Sequence, residues 1–382
     1  MYRYRIYPSR KQKISLIETF KACKDIYNEL LELSINNYKK TGKGLFKYDF
    51  NKFLTNKHKN MHSQVKQNVS DRVNKSFSNF FRRVKSREKK KGFPRFKSLV
   101  KSITYPQSGF NFVNERRLYA SKIGNLPIVL HRIPKGKIKT LAIKRNNAGQ
   151  WFAVFSCKIE SNNITHSSKK NAGIDVGLES FAVLSDNKII NNPRFLVKSE
   201  NKLKKLHKNL SRKKKGSKNR FKAKLLLSKQ YIKVTNQRND FLHKSSAIIA
   251  GEYKLIAVED LRIKNMIKNH HLAKHIHDAS WNSFIQMLSY KAVACGGQII
   301  KVNPRNTSRA CSSCGNIQEM PLSRRTFECT KCSLVCSRDL NASVNILKVG
   351  MDYAELNACG DIVRPSDKAC VNESGTIFRR NF

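Results

Sequence analysis

The sequence predicts a multidomain α/β protein, and three observations carry that prediction. Helical and strand-like periodicities occupy separate blocks over the first 160 residues. Beyond residue 170, short apolar runs alternate with helical stretches. Two Cys-x-x-Cys pairs then precede the last helical pattern. A chain of 382 residues is long enough to bury a sizeable core and to form two to four domains.

Tyr2, Tyr4 and Ile6 alternate with Arg3, Arg5 and Tyr7, a period-two strand that Pro8 and Ser9 end. Ser9 is a good helix N-cap, and from Ile14 the residues Ile17, Phe20, Cys23, Tyr27, Leu30 and Leu31 recur at helical spacing. A second helix carries Val65, Val69, Val73, Phe77, Phe80 and Val84. Together they predict a helical domain with basic outer faces. Gly92-Phe93-Pro94 breaks the pattern, and residues 101–160 become strand-like, punctuated at Gly124-Asn125, Pro134-Lys135-Gly136 and 146–149. Ile138–Ile143 and Trp151–Phe155 alternate well, which predicts a β-barrel or curled sheet closed by the first strand. Residues 161–170 are polar and read as a linker.

Next come Ala172–Gly177, a strand and turn, and a strand over Phe181–Leu184. A basic helical segment spans about 198–250, interrupted by Lys213-Lys214-Lys215-Gly216-Ser217. Lys254–Val258 is a short apolar run ending in Glu259, typical of a buried parallel strand. A helix near 280–295 with Trp281, Phe284, Leu288, Ala292 and Cys295 on its apolar face leads to a strand over Gln298–Val302. Strand pair, helix, strand, helix, strand is the order of a mixed-sheet α/β domain of the RNase H type. The last thirty residues have no clear periodicity and are expected to be disordered.

Charge restricts the partners. Lys and Arg number 76 against 26 Asp and Glu, a net charge of +50. Such an excess calls for a polyanion, and nucleic acid is the usual one. There is no run of 18 apolar residues and no signal-peptide core after Met1, so a soluble, intracellular protein without a membrane partner is expected. A reduced compartment makes the paired cysteines a metal site more readily than disulfides, while Cys23, Cys157 and Cys295 read as small buried hydrophobes.

Asp175 and Glu259 each end a predicted strand, and Asp339 opens a helix whose apolar face is expected to be Leu340, Val344 and Leu347. The C-terminal ends of strands in an open α/β sheet converge on one edge, so the three carboxylates can meet there. Their mutual repulsion is relieved by divalent cations, and two Mg²⁺ ions about 4 Å apart suit phosphodiester hydrolysis. Each carboxylate alone has an ordinary reading, turn chemistry for Asp175 or a cap for Asp339. Asp260 is an alternative ligand, demoted because its side chain leaves the other side of the strand. Cys311, Cys314, Cys329 and Cys332, with fourteen residues between the pairs, suit one structural Zn²⁺, with a redox pair as the minor reading. That site would staple a basic loop including Arg324 and Arg325 near the catalytic edge, or form a DNA-reading finger. Lys204, Lys205, Lys208, Arg212, Lys213, Lys214 and Lys215 belong to a charge run dense enough to track a phosphate backbone, although targeting sequences look similar.

Together these residues resemble the TnpB family of transposon-encoded, RNA-guided nucleases related to type V CRISPR effectors. Arg5-Ile6-Tyr7-Pro8, Phe93-Pro94-Arg95-Phe96-Lys97, Tyr105-Pro106-Gln107 and Leu126-Pro127-Ile128 are similar to segments of its first half. Asp175-Val176-Gly177, Val258-Glu259-Asp260-Leu261 and Asp339-Leu340-Asn341-Ala342 resemble its three RuvC motifs, and Thr307-Ser308 with Cys311 and Cys314 its entry into the zinc domain. Ser337 stands where the family often has Asp, and Ser333 where Gly often follows the last zinc ligand.

The resemblance implies a β-barrel wedge domain over 1–9 and 95–165, a helical recognition domain over 10–94, and a RuvC-like nuclease domain over 166–304 and 336–350. A zinc-ribbon insert over 305–335 and a tail over 351–382 complete it. It further implies an RNA-guided DNA endonuclease of an insertion-sequence transposon, cutting double-stranded DNA beside a short flanking motif with Asp175, Glu259 and Asp339 on Mg²⁺. The partners would be a guide RNA from the transposon end and target duplex DNA, the protein being a monomer with its RNA in the prokaryotic cytoplasm, at the nucleoid. Gln64, Asn68, Thr104, Tyr105 and Gln107, polar or aromatic groups expected on the helical and barrel surfaces, are candidate motif readers. A nuclease-silent guided repressor and a protein-only transposase accessory are the competing expectations.

Overall fold

The computed structural model describes residues 1–55, 57–88, 90–159, 165–321, 323–358, 369–371 and 377–379. The chain divides into two compact units, 1–160 and 161–382.

In the first unit β1 (Tyr2–Ile6) leads into α1 (Arg10–Thr41), followed by α2 (Lys47–Leu54), α3 (Ser63–Lys85) and six strands. These are β2 (Ser102–Tyr105), β3 (Phe110–Asn114), β4 (Arg117–Ala120), β5 (Gly124–Val129), β6 (Lys137–Arg145) and β7 (Trp151–Lys158). Ser9 caps α1 through a capping box with Gln12, and Gly42 ends it in the left-handed region. The buried face of α1 is Leu16, Phe20, Cys23, Ile26, Tyr27, Leu30 and Leu31, whereas Ile14 and Ile17 are exposed. The stripe thus holds the expected residues from Phe20 onward but begins at Leu16, off the side that carries Ile14 and Ile17. Helix α2, only 8 residues long and burying only Phe50 and Leu54, is not among the helices the sequence predicts.

The seven strands pair antiparallel in the order β2-β6-β7-β1-β5-β4-β3. β1 joins the two halves by pairing with β7 on one side and β5 on the other. The order has two free ends, β2 and β3, so among the described residues this is a curled sheet and not a ring closed by hydrogen bonds. Curling brings Phe112 of β3 within 5.1 Å of the Phe155 ring of β7. Inward residues of the sheet and of α1, α2 and α3 form one continuous core.

The second unit is built on a five-stranded mixed sheet of β8 (Asn171–Val176), β9 (Ser180–Leu184), β10 (Ile189–Asn191), β11 (Leu255–Glu259) and β12 (Gln298–Val302). The order is β10-β9-β8-β11-β12; β8, β11 and β12 run parallel, and β9 and β10 antiparallel to their neighbours. Between β10 and β11 lie α4 (Phe195–Ser211) and α5 (Lys218–Glu252), a basic helical pair; α6 (Ile263–Met266), α7 (His270–Ala279) and α8 (Trp281–Ala294) precede β12. The ribbon β13 (Thr326–Glu328) and β14 (Val335–Ser337) runs directly into α9 (Arg338–Ala358). One face of the sheet packs on α5, α7 and α8 through Ile174, Ile256, Val258, Leu242, Trp281 and Phe284. The other face carries α9 over Ala257, Val302 and Ile346.

Two details depart from expectation. The buried face of α9 is Asn341, Ala342, Ser343, Asn345, Ile346 and Gly350, with Leu340, Val344 and Leu347 only half-buried. Small residues let the helix lie close to the sheet, and its buried amides are matched by a loop described below. The stretch 351–382, expected to be disordered, continues α9 to Ala358, since Met351, Ala354 and Leu356 are good helix formers and no Gly or Pro intervenes. Farther on, β15 (Ala369–Val371) pairs with β16 (Ile377–Arg379), and the remainder of that stretch lies outside the described residues.

Candidate functional site

Strand parity fixes which carboxylates can meet. In β8, Gly173 faces α9 while Ala172 and Ile174 enter the opposite core. Asp175, two residues after Gly173, therefore projects on the α9 face. In β11, Ala257 faces α9, so Glu259 shares that face and Asp260 the other. β8 and β11 pair in register at Ile174 and Val258, which sets Asp175 beside Glu259 at the same ends of two neighbouring parallel strands. Asp339, in the first turn of α9, lies near enough to Asp175 to influence its ionisation. Asp260 is exposed and bonds Lys301 Nζ at 3.2 Å.

The approach of α9 is set by two glycines. A Cβ on Gly173 would overlap the Ser343 carbonyl and the Leu347 amide, and one on Gly350 would overlap the Ala257 side chain. The helix backbone thus lies against the backbone of β8 and against the Ala257 Cβ of β11, approaches that only glycine permits.

The carboxylates sense one another. Burial pushes the Asp175 carboxyl up to about 7, Glu259 and then Asp339 add to the rise, and the Arg338 guanidinium opposes it. Burial also raises Glu259, against the lowering effect of a hydrogen bond from Thr307. Thr307 Oγ1 donates to Glu259 Oε1 at 2.5 Å. Asp175 and Glu259, both raised by burial, offer hard oxygen donors of the kind Mg²⁺ takes, with Asp339 near Asp175, although the three carboxylates do not bring one oxygen each within 4.8 Å of one another.

Thr307 belongs to a loop clipped to α9. Asn345 Nδ2 donates to the Thr307 carbonyl at 2.9 Å and to the Ala310 carbonyl at 2.8 Å. Asn341 Nδ2 also donates to the Ala310 carbonyl, at 2.7 Å, and its Oδ1 accepts from the Ser312 amide at 2.8 Å. Asn341 and Asn345 lie one turn apart, so one stripe of α9 carries the clip. In the sequence Thr307 and Asn341 stand out only as parts of the motifs quoted above, and Asn345 does not stand out at all. Two amides at helical spacing just after Asp339 were the available signal.

The same loop opens into the cysteine centre. Sγ atoms of Cys311, Cys314, Cys329 and Cys332 all lie within 4.8 Å of one another, the only such group of three or more metal-ligating side chains among the described residues. Cys311 and Cys332 are 3.6 Å apart, and Cys314 and Cys329 3.5 Å. A tetrahedral Zn²⁺ with bonds of about 2.3 Å needs sulfurs roughly 3.8 Å apart, so the four fit that ion. Amides of Cys332 and Lys331 point at Cys329 Sγ, and the Cys332 amide above all pulls that thiol down to about 6. Phe327 and Met320 form a small core beneath the four sulfurs, and Cys336 packs against it without joining them. Arg324 and Arg325, expected to face substrate, are matched to Glu328 and Glu179 at 2.5 and 3.1 Å.

The basic run forms the tip of the α4–α5 pair. Lys204, Lys205, Lys208, Arg212, Lys213, Lys214 and Lys215 are all exposed, with Lys204 bonded to Glu200 at 3.1 Å. Arg220 Nη1 holds the tip by donating to the Leu210 and Lys213 carbonyls. Of the expected motif readers, Gln107 is exposed and Gln64 half-buried. Asn68 Oδ1 is buried without a hydrogen-bond partner, and Thr104 Oγ1 accepts from Arg72. Tyr105 is a correction: it is 1 % exposed and its hydroxyl donates to the Ser121 carbonyl, because β2 turns Ile103 and Tyr105 inward together.

Three family models match the chain: the OrfB_IS605 "Probable transposase" over residues 154–270, the "Cas12f1-like, TNB domain" over 281–346, and a "Helix-turn-helix domain" over 1–43. The last region folds here as β1 and one unbroken helix. A Streptomyces pristinaespiralis protein bearing the provisional name RNA-guided DNA endonuclease is 32% identical over 381 residues, covering 95% of this chain and 92% of its own. The similarly named InsQ of Escherichia coli K12 is 28% identical, covering 95% and 94%. Among solved structures, a Cas12f1–sgRNA–target DNA complex matches with a TM-score of 0.57 at 18% identity, over 88% of this chain and 82% of that one. The mini-RNA-guided endonuclease Cas-phi3 matches with a TM-score of 0.50 at 11% identity, over 91% and 92%. The full-length match to the Streptomyces relative and the OrfB_IS605 match over the first half of the sheet unit agree: the chain belongs to the TnpB family.

Proposed function

We propose that this protein is an RNA-guided DNA endonuclease that hydrolyses phosphodiester bonds at Asp175, Glu259 and Asp339. The observation that carries the reading is the convergence of three carboxylates from β8, β11 and α9, close enough that burial and its two neighbours push Asp175 up to about 7. A group so crowded favours a divalent cation over a proton at neutral pH. Bound Mg²⁺ would supply an activated water and charge neutralisation at the leaving oxygen. The chain's part is to hold the ligands rigidly. Asp175 and Glu259 are fixed by paired parallel strands, Asp339 by the close-packed α9, and Glu259 Oε1 is committed to Thr307, which leaves Oε2 for the cation.

The four cysteines hold one structural Zn²⁺ that fixes the loop bearing Thr307. The exposed cations from Lys204 to Lys215 track a nucleic-acid backbone, and +50 of charge is balanced by a guide RNA and target duplex. The curled sheet serves as the wedge and the helices packed on it as the recognition element, with Gln64, Asn68, Thr104 and Gln107 as motif-reading positions. The complex is a monomer with its RNA, working in the cytoplasm; no helix among the described residues is long and apolar enough to cross a membrane.

The test is to purify the protein with co-expressed transposon-end RNA and supply plasmid carrying a guide-matched target in a randomised flank. Wild type should cut beside one flanking motif and Asp175→Ala should not. Cutting without RNA, or by the variant, overturns the proposal, and binding without cutting identifies a guided repressor instead.

A further inference from the structure

In the first unit, the C-terminal end of α3 and the segment after it carry a group of aromatic rings of which only Phe77 packs against the core. Phe77 and Phe80 form a half-buried base. Phe81 stands 5.2 Å from Phe80, and Phe93 meets Phe80 and Phe77 edge to face at 5.2 and 5.9 Å. Phe81, Phe93 and Phe96 are 53%, 49% and 56% exposed, too much apolar surface in one neighbourhood to be incidental.

The rings are presented by a tied segment. Arg83 donates to the carbonyls of Lys91 and Gly92, which bends the chain back on α3 with Gly92 in the left-handed region. Farther on, Asn28 of α1 exchanges two hydrogen bonds with the backbone of Lys97, at 2.8 and 3.0 Å. Phe93 and Phe96 lie between these two anchors.

Charge identifies the occupant. Residues 82–97 hold nine Lys and Arg and a single acid, Glu88. No ion pair among the described residues engages any of these cations. Exposed rings interleaved with cations that meet no carboxylate match an unpaired nucleic-acid strand, whose bases have free faces and whose phosphates carry charge. A duplex offers no base faces, and an apolar peptide would leave the cations unmatched. Resident RNA is favoured over transient DNA, because a surface both apolar and self-repelling is best tolerated when it is covered throughout the protein's working life.

We propose that Phe81, Phe93 and Phe96, with the cations around them, form a stacking site for an unpaired segment of the bound RNA. This rests on the RNA-guided reading but not on cleavage.

The test is ultraviolet crosslinking of the full-length protein purified with its transposon-end RNA, followed by mass spectrometry. Nucleotide adducts are expected on the peptides carrying Phe81, Phe93 or Phe96. In parallel, a Phe81→Ala/Phe96→Ala variant, altered only at exposed rings, should bind a single-stranded RNA oligonucleotide about ten-fold more weakly at high salt. Its salt slope should be unchanged, and a Phe81→Tyr/Phe96→Tyr variant should bind like wild type. Wild-type affinity in the alanine variant, an equal loss in the tyrosine variant, or a loss confined to single-stranded DNA overturns the proposal. Asp175→Ala should bind this RNA normally, so failure of the nuclease reading is seen separately. A wild-type protein that retains no RNA overturns both.

Discussion

Thr307 Oγ1 donates to Glu259 Oε1 at 2.5 Å, and the Thr307 carbonyl is itself held by Asn345 of the helix that bears Asp339. Two carboxylates from distant parts of the chain are thereby oriented by one loop. Thr307→Val keeps the shape and removes the donor. Partners that orient metal ligands are typically worth 10–100-fold in metal affinity, so Mn²⁺ affinity, read by titration, should fall by about ten-fold. Thr307→Ser should retain it, and equal affinity in the valine variant would refute the role.

The raised Asp175 carboxyl gives a pH dependence with a definite sign. Its folded value of about 7 lies above the usual carboxylate range. Between about pH 4 and 7 the folded protein therefore binds the extra proton, and stability falls as pH rises through this window. Without Mg²⁺, the Tm of wild type relative to Asp175→Asn should fall from pH 5 to pH 8 by calorimetry. Added Mg²⁺ should raise the wild-type Tm more at pH 8 than at pH 5.

Gly173→Ala places a methyl group against the backbone of Ser343 and Leu347. Overpacking a tight contact costs about 1–3 kcal/mol, and backbone cannot give way as a side chain would. The variant should lose about 3 kcal/mol in chemical denaturation and most of its cleavage, because Asp339 moves with α9. Wild-type stability would show that the helix has slack.

Ser333 follows the last zinc-site cysteine with φ 55°, the left-handed region that favours glycine. Ser333→Gly should stabilise the ribbon by about 1 kcal/mol and slow zinc release to a chelator. Unchanged release would mean that the turn relaxes without strain.

Replacing Lys213, Lys214 and Lys215 together by Ala should lower the salt slope of DNA binding by about 3, at roughly 0.9 per phosphate contact. A slope equal to wild type would take this tip off the binding surface.

The periodicities of β8, β11, β12 and α8, and the spacing of the cysteines, could be read in advance because each is local. The face of α9 could not. Its buried residues include Asn341 and Asn345, which read as solvent-facing until the loop at 307–312 is seen to satisfy them, and Ser343, whose hydroxyl donates to the Leu340 carbonyl. The inward turn of Tyr105 was hidden for a related reason: aromatic residues suit either side of a strand, and only the pairing of β2 with β6 fixes its parity. That the apolar stripe of α1 begins with Leu16 and leaves Ile14 and Ile17 exposed likewise depends on where the rest of the unit covers that helix.

The position of Asp339 in the last long helix has a consequence during synthesis. A ribosome releases Asp175 and then Glu259, on strands that neighbour each other, but Asp339 follows about 80 residues after Glu259. At 5–20 residues per second that interval is about 4–16 s. Throughout it the nascent chain holds two of the three proposed carboxylates and lacks the Asn341 and Asn345 side chains that clip the Thr307 loop, so an unfinished copy, or one cut short before α9, is born without the complete proposed site.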